Sequence, residues 1–434
     1  MAHQAHNIPW NVLAATLQLR KVNPCQHDAE NFHVRKQPDV VKKLTYFTNA
    51  FVANVLDHAR CDGAKYAETW VADPNSEKDD IILTDHVAKK IEATVYRWRL
   101  DHTSEDEFGP VQHPQRKELC QHDDEATICQ CPLPLKRRKQ SAFQEQYSNN
   151  PCYNFFTCNA DGFFSVEIVK TLLLYGEMET LLRICAGPHV DLSRWWERSI
   201  CQCEIADVGW GEICRLAMYS YILLNVLHCF PETWDKAGAS INDYTSTKVY
   251  QYVVHRCTKS GWTASDVPTY PHRQFFGIEN GQFSNYPEPR DMERWGHLLE
   301  GRYQRLSYYP YGLMSYSEFL AFEKPVAFQP SSGDVSHVRW VLCQKGLPVE
   351  LSNFILETAS YSPQRRLPVP DHPLHPENRV ELGKYLKYCW RLIIACAMMG
   401  QALGMEMNHF LGKMVKSSIQ ELFGCKCRVL FEDR

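Results

Sequence analysis

Between residues 40 and 60 the apolar positions Val41, Leu44, Phe47, Phe51 and Val55 recur at the spacing of a helix lying on a core, and Cys61-Asp62-Gly63 supplies its stop. A second helical pattern, rich in alternating charge, runs from Ile81 to Leu100. From Asp101 to Pro151 the pattern dissolves. Acidic runs, the proline-spaced "CPLPLKRRKQ" and polar "QEQYSNN" read as a linker or long loop.

Helical spacing then returns. Val166, Val169, Leu172 and Leu173 share a face, and Leu181 and Leu182 continue it beyond Gly176. The run from Leu216 to Phe230 is apolar nearly all round but too short to span a bilayer, so it predicts a buried helix and no membrane contact. Residues 245 to 330 carry shorter elements and aromatic, Gly- and Pro-rich loops. Near the end, Leu382, Leu386, Cys389, Ile393, Cys396 and Ala397 mark one face of a helix that is apolar on most sides, with Gly404 as its stop. No series of alternating, turn-bounded strands is visible, so the expected fold is mostly α, an irregular multi-helix protein with long loops. The expected divisions are an N-terminal helical region at 1–100, a polar linker at 101–155, a central helical region at 156–330 and a C-terminal helical region at 346–434.

The segment "GLPVELSNFILETASY" holds the most specific signal. Pro348 suits the first position of a helix, where a missing N–H is harmless, and Glu350 falls in the first turn beside the positive end of the dipole. Leu347, Leu351, Phe354, Ile355 and Thr358 form an apolar stripe, with Ser352, Asn353 and Glu357 opposite. Such a helix can bury one side in its own domain and offer the other to a groove.

Leu347-Pro348-x-Glu350-Leu351 followed by Phe354-Ile355-Leu356 resembles the opening of an F-box. The block from Gly346 to about Glu406 is similar to the F-box-like C-terminal region of uncharacterised proteins of filamentous fungi. The resemblance implies a non-catalytic adaptor that docks a Skp-type subunit of a cullin–RING ubiquitin ligase and holds an unknown protein substrate elsewhere. Leu347, Pro348, Leu351, Phe354 and Ile355 would be the docking surface. The Pro-punctuated insert "SPQRRLPVPDHPLHP" departs from the F-box pattern, in which the second helix follows quickly. The other reading is a helical binding or scaffold protein with no ligase link.

Composition narrows this further. A net charge of −4 gives no chain-wide basic excess, so nucleic acid is not expected as a partner. The polar opening "MAHQAHNIPW" shows no signal peptide, so the 18 cysteines are expected to be reduced thiols in a chain of the cytoplasm, the nucleus or both. The basic run Lys136, Arg137, Arg138 and Lys139 fits a nuclear-import signal in an exposed segment, or equally a solvated linker cluster.

Cys120-x-His122 with Cys129-x-Cys131 offers thiolate and imidazole, but not the two-to-four-residue spacers that zinc sites prefer. Cys201-x-Cys203 with Cys214, and Cys425-x-Cys427, are weaker still, and His372-x-x-His375 reads as a pair of turn residues. No metal or cofactor is therefore expected. GxSxG, HExxH, P-loop and GxGxxG motifs are all absent, and the expectation is a protein that is not an enzyme.

Overall fold

In the computed structural model the described residues are 7–21, 30–66, 75, 77–101, 133–144, 159–197, 209–234, 243–260, 266–283, 309–359, 361–424 and 430–431. The fold is mostly α, as expected. In chain order come α1 (Trp10–Ala15), β1 (Leu17–Lys21), β2 (Glu30–Val34), α2 (Val40–Gly63) and α3 (Asp85–Asp101). The central helices are α4 (Ala160–Tyr175), α5 (Met178–Cys185), α6 (Gly211–His228), α7 (Lys248–Thr258), α8 (Tyr270–Phe276) and α9 (Tyr316–Leu320). Then follow α10 (Ser332–Gln344), α11 (Val349–Thr358), α12 (Arg379–Ala402) and α13 (Met407–Phe423).

The helix α6 is the axis of the fold. Every residue from Gly211 to Leu227 except Arg215 is buried, which follows from a sequence with no polar face to offer to water. It carries few polar groups inward, and two of them make the following contacts. Asn225 donates to the Tyr221 carbonyl at 2.9 Å, and Glu212 accepts from Arg256 of α7 at 3.1 Å. The main partner of α6 is α12, buried without interruption from Leu392 to Gly400. Around this pair α2, α13 and α7 complete one layer, while α4 and α5 pack on α12 and α3 packs on α4.

An aromatic knot joins segments far apart in sequence at this centre. Tyr221 of α6 stacks on Trp390 of α12 at 5.3 Å. Phe51 of α2 meets Trp390 edge-on at 5.7 Å, and Trp10 of α1 packs on Phe47, Phe51 and Tyr221. Edge-to-face and offset contacts of this kind add to the burial of the rings themselves.

One local expectation is corrected, one element was not foreseen, and one expectation holds. Val41 is exposed and Val40 takes its place on the buried face of α2, which continues through Cys61-Asp62 to Gly63. The strands β1 and β2 form an antiparallel pair, from Leu17 opposite Val34 to Lys21 opposite Glu30, that the sequence did not announce because each run is only five residues long. This pair helps to fix α7, since Asn31 of β2 accepts from the Val249 amide in the first turn of that helix at 3.0 Å. The expected stop at Gly404 holds. Its φ is +70°, and the amides of Gly404 and Met405 close on the carbonyls of Gln401 and Gly400.

At the far side, Phe275 of α8 stacks face to face on Tyr385 of α12, and the neighbouring His272 is hydrogen-bonded to the Tyr385 hydroxyl at 2.5 Å. His272 is wholly buried, and burial pulls its pKa down to about 3. His33 on β2 is pulled down to about 4, chiefly by burial and further by Arg20 and Lys248.

Two outcomes follow from this packing. Trp390→Ala removes the hub of the knot, and equilibrium denaturation should show a loss of about 3–5 kcal/mol. Histidines whose folded pKa lies below the unfolded value near 6.5 favour the native state above that pH, and the advantage is lost as pH falls toward 4. For His272 the slope is about 1.4 kcal/mol per pH unit. Melting midpoints measured from pH 7 to 4.5 should therefore fall, and His272→Gln should flatten that fall.

Candidate functional site

The helices α10 and α11 stand apart from the core described above. They pack on each other and touch the remaining elements sparsely. No residue of α10 is buried, and α11 buries only Ser352 and Leu356. The local sequence explains the hairpin. Ser331-x-x-Asp334 is a complete capping box: the Asp334 amide donates to the Ser331 hydroxyl, and the Ser331 amide donates to the Asp334 carboxylate at 2.7 Å.

The other end of α10 closes in a Schellman turn. Gly346 has φ of +89°, its amide donates to the Cys343 carbonyl at 3.0 Å, and the Leu347 amide donates to the Leu342 carbonyl at 3.3 Å. Only glycine takes that backbone angle without cost. The turn reverses the chain at once, and α11 begins at Val349. Pro348 is therefore the residue just before the helix rather than its first member. Its carbonyl accepts both the amide and the hydroxyl of Ser352.

The orientation of α11 is the central finding. Ser352 and Leu356, one of them from the expected polar side, face inward, and the Ser352 hydroxyl lies 3.6 Å from the Cys343 sulfur of α10. The apolar stripe faces out. Leu351 is 50% exposed, Phe354 65% and Ile355 40%, with Val349 exposed beside them. Pro348 is exposed and Leu347 half-buried in the turn. Seven of the twelve large apolar side chains exposed among the described residues lie between Val326 and Ile355, so apolar exposure is concentrated in this one region.

Sequence reasoning did not find Trp340 of α10, 58% exposed, or Phe328, although the Ser-x-x-Asp start of α10 and the Gly346 stop were both legible.

The hairpin is fixed to the body at its base. Gln364 and Arg365 donate their amides to the Pro330 carbonyl, and the Arg366 amide donates to the Gln274 carbonyl of α8 at 2.9 Å. Arg365 also reaches the Asp334 carboxylate at 3.1 Å. The Ser331 amide and hydroxyl, with this guanidinium, hold the Asp334 carboxyl below the usual carboxylate range.

The basic run lies elsewhere and is not the exposed segment expected. Arg137 is fully buried, paired with Asp161 of α4, and its guanidinium lies over the Phe164 ring at 4.9 Å. Arg138 is buried against Asp85 of α3 and Lys139 pairs with Asp79. Lys136 is the exposed member of the four. An import receptor would have to extract two arginines from ion pairs to read them.

Cys120, His122, Cys129, Cys131, Cys201, Cys203, Cys425 and Cys427 lie outside the described residues. Among those described, no group of three or more His, Cys, Asp or Glu side chains could hold a metal ion, and no helix is long and apolar enough to cross a membrane. His372 and His375 serve a turn. His372 bonds the Tyr244 hydroxyl at 2.8 Å, and His375 accepts from the Glu377 amide. Of the described cysteines, Cys185, Cys214, Cys257, Cys389 and Cys396 are free and buried, and burial pushes the thiols of Cys185 and Cys257 up to about 12. Such thiols are inert packing groups.

The family model described as "Gramillins biosynthetic cluster protein GRA5" matches residues 11–423, which includes the core helices and the hairpin together. The chain belongs to that family. No curated protein and no solved structure matches it. The match covers α11 together with Phe51, Tyr221 and Trp390 of the knot.

The cap at Asp334 generates a local test. Asp334→Ala should lower the amide-exchange protection of α10 by roughly 10-fold, the equivalent of a lost N-cap, while α6 keeps its protection. Because the folded carboxyl is shifted down, its contribution persists above the usual carboxylate range and disappears as pH falls through the shifted value. Hydrogen-exchange mass spectrometry at neutral pH reads both helices at once.

Proposed function

We propose that this chain is a non-catalytic interaction protein that presents the outer face of α11 to another protein. The observation that carries the reading is the outward stripe of Val349, Leu351, Phe354 and Ile355 on a hairpin held rigid at both ends. Covering half-exposed leucine and phenylalanine side chains stabilises a complex by on the order of 1 kcal/mol each. A preformed helix incurs little ordering entropy on binding.

The partner favoured first is a Skp-type adaptor, because the exposed residues are those in which the segment resembles an F-box opening. On that reading the protein works by tethering. One surface holds the ligase and another holds a protein substrate, so transfer gains effective concentration without chemistry in this chain. Its place is then the cytoplasm or nucleus. The family description speaks of a gramillins biosynthetic cluster, so the substrate is sought first among the proteins of such a cluster.

One observation favours a second reading, a scaffold that binds a different protein through the same face. The helix that would follow in an F-box is α12 here, and its Cys389 and Trp390 are locked into the core against α6 and α2.

Co-purification with a Skp-type adaptor separates the two. Wild type should bind, and a Leu351→Asp, Phe354→Asp double variant should lose at least 100-fold in affinity while its circular dichroism stays unchanged, since both side chains are exposed. Absence of binding by the wild type would remove the ligase link.

A further inference from the structure

A cleft of about 560 Å³ lies between α2 and α13, well away from the α10–α11 hairpin in the chain. Its size falls within the range of small-molecule sites. One wall is a single face of α13, where Lys413, Lys416 and His409 project within two turns of each other. The opposite wall is α2, which contributes the Asn49 amide and the apolar side chain of Val52. Phe431 closes one side, with the Lys416 ammonium 5.8 Å from its ring centre.

The charge of the cleft is one-sided. Among the described residues that line it there is no carboxylate. Among the described residues Lys413 pairs with Glu197 at 3.9 Å, and both of these side chains are more than half exposed, so the pairing is weak. The acidic residue nearest in sequence on α13, Glu421, is held instead by the hydroxyls of Tyr219 and Tyr252.

A second feature is independent of the charge. Gly412 sits in the interior of α13 and lines the cleft. Glycine is unfavourable in a helix, and it is usually retained there because a neighbour comes too close for a side chain. Here a Cβ at Gly412 would meet nothing within 4 Å. Packing does not require the glycine, which leaves this part of the cleft wall without a side chain.

From these two features we infer that the α2–α13 cleft binds a small amphipathic anion, with a carboxylate or phosphate head on Lys413 and Lys416 and a short apolar body against Val52 and Phe431. Charge-assisted hydrogen bonds from two ammonium groups hold the head. Asn49 orients it, and the absence of a side chain at Gly412 makes room for the body. This site is separate from the docking face on α11 and does not depend on it.

Titration calorimetry on the full chain tests the inference with three probes: hexyl phosphate, hexanoate and neutral hexanol. One or both anions should bind saturably at one site, hexanol at least 10-fold more weakly, and the preferred anion identifies the head group. Lys413→Glu, Lys416→Glu should weaken that anion at least 10-fold, and Gly412→Leu should abolish its binding. Gly412→Leu should melt at or above the wild-type temperature and the lysine variant close to it, and the milder Lys413→Gln, Lys416→Gln pair replaces the latter if it does not. Saturable binding of neither anion, equal binding of hexanol, or unchanged affinity in the lysine variants would overturn the assignment.

Discussion

The stacking of Tyr221 on Trp390 is the contact on which the rest of the structure leans. It holds α6 to α12, two deeply buried helices, and it receives α2 through Phe51 and α1 through Trp10. Neither helix can stand in water alone, because each is apolar over most of its circumference. Their mutual burial therefore comes first in the energetics, and the remaining helices cover what that pair leaves open. Some of the polar groups drawn into this centre have partners, as Glu212 has in Arg256 and the His272 Nδ1 has in the Tyr385 hydroxyl.

The hairpin of α10 and α11 follows the opposite logic. Its order comes from caps and turn geometry rather than burial: a capping box at Ser331, a left-handed glycine at 346 and a short pairing between Ser331 and Arg365. Apolar residues on the outer face of a helix whose inner face holds a serine do nothing for an isolated monomer. They suit a chain that meets something else there. The cleft on α13 repeats the pattern in polar terms, with cations gathered where nothing in the described fold neutralises them fully.

Much of this architecture was legible in the residues. The period of Leu44, Phe47, Phe51 and Val55, the apolar girth of the α6 and α12 segments and the glycine stop at 404 all correspond to real elements. Leu351, Phe354 and Ile355 could be singled out because an apolar stripe at helical spacing is visible in one dimension. Whether the stripe faces in or out depends on what α10 offers it, and that is a tertiary matter. Arg137 was misplaced for the same reason: charge in a proline-spaced segment reads as solvated, whereas Asp161 and the Phe164 ring take it into the interior. The β1–β2 pair escaped because its alternation spans too few residues to exceed chance.

The knot also has a consequence in time. A ribosome delivers Trp10, Phe51 and Tyr221 long before it delivers Trp390, so the central helix α6 emerges without the surface meant to cover it. Native contacts at such sequence separation form late, and the apolar intermediates that precede them are open to aggregation. On this packing α6 stays partly uncovered until α12 has been made, and a truncation that removes α12 leaves that buried helix without its main partner.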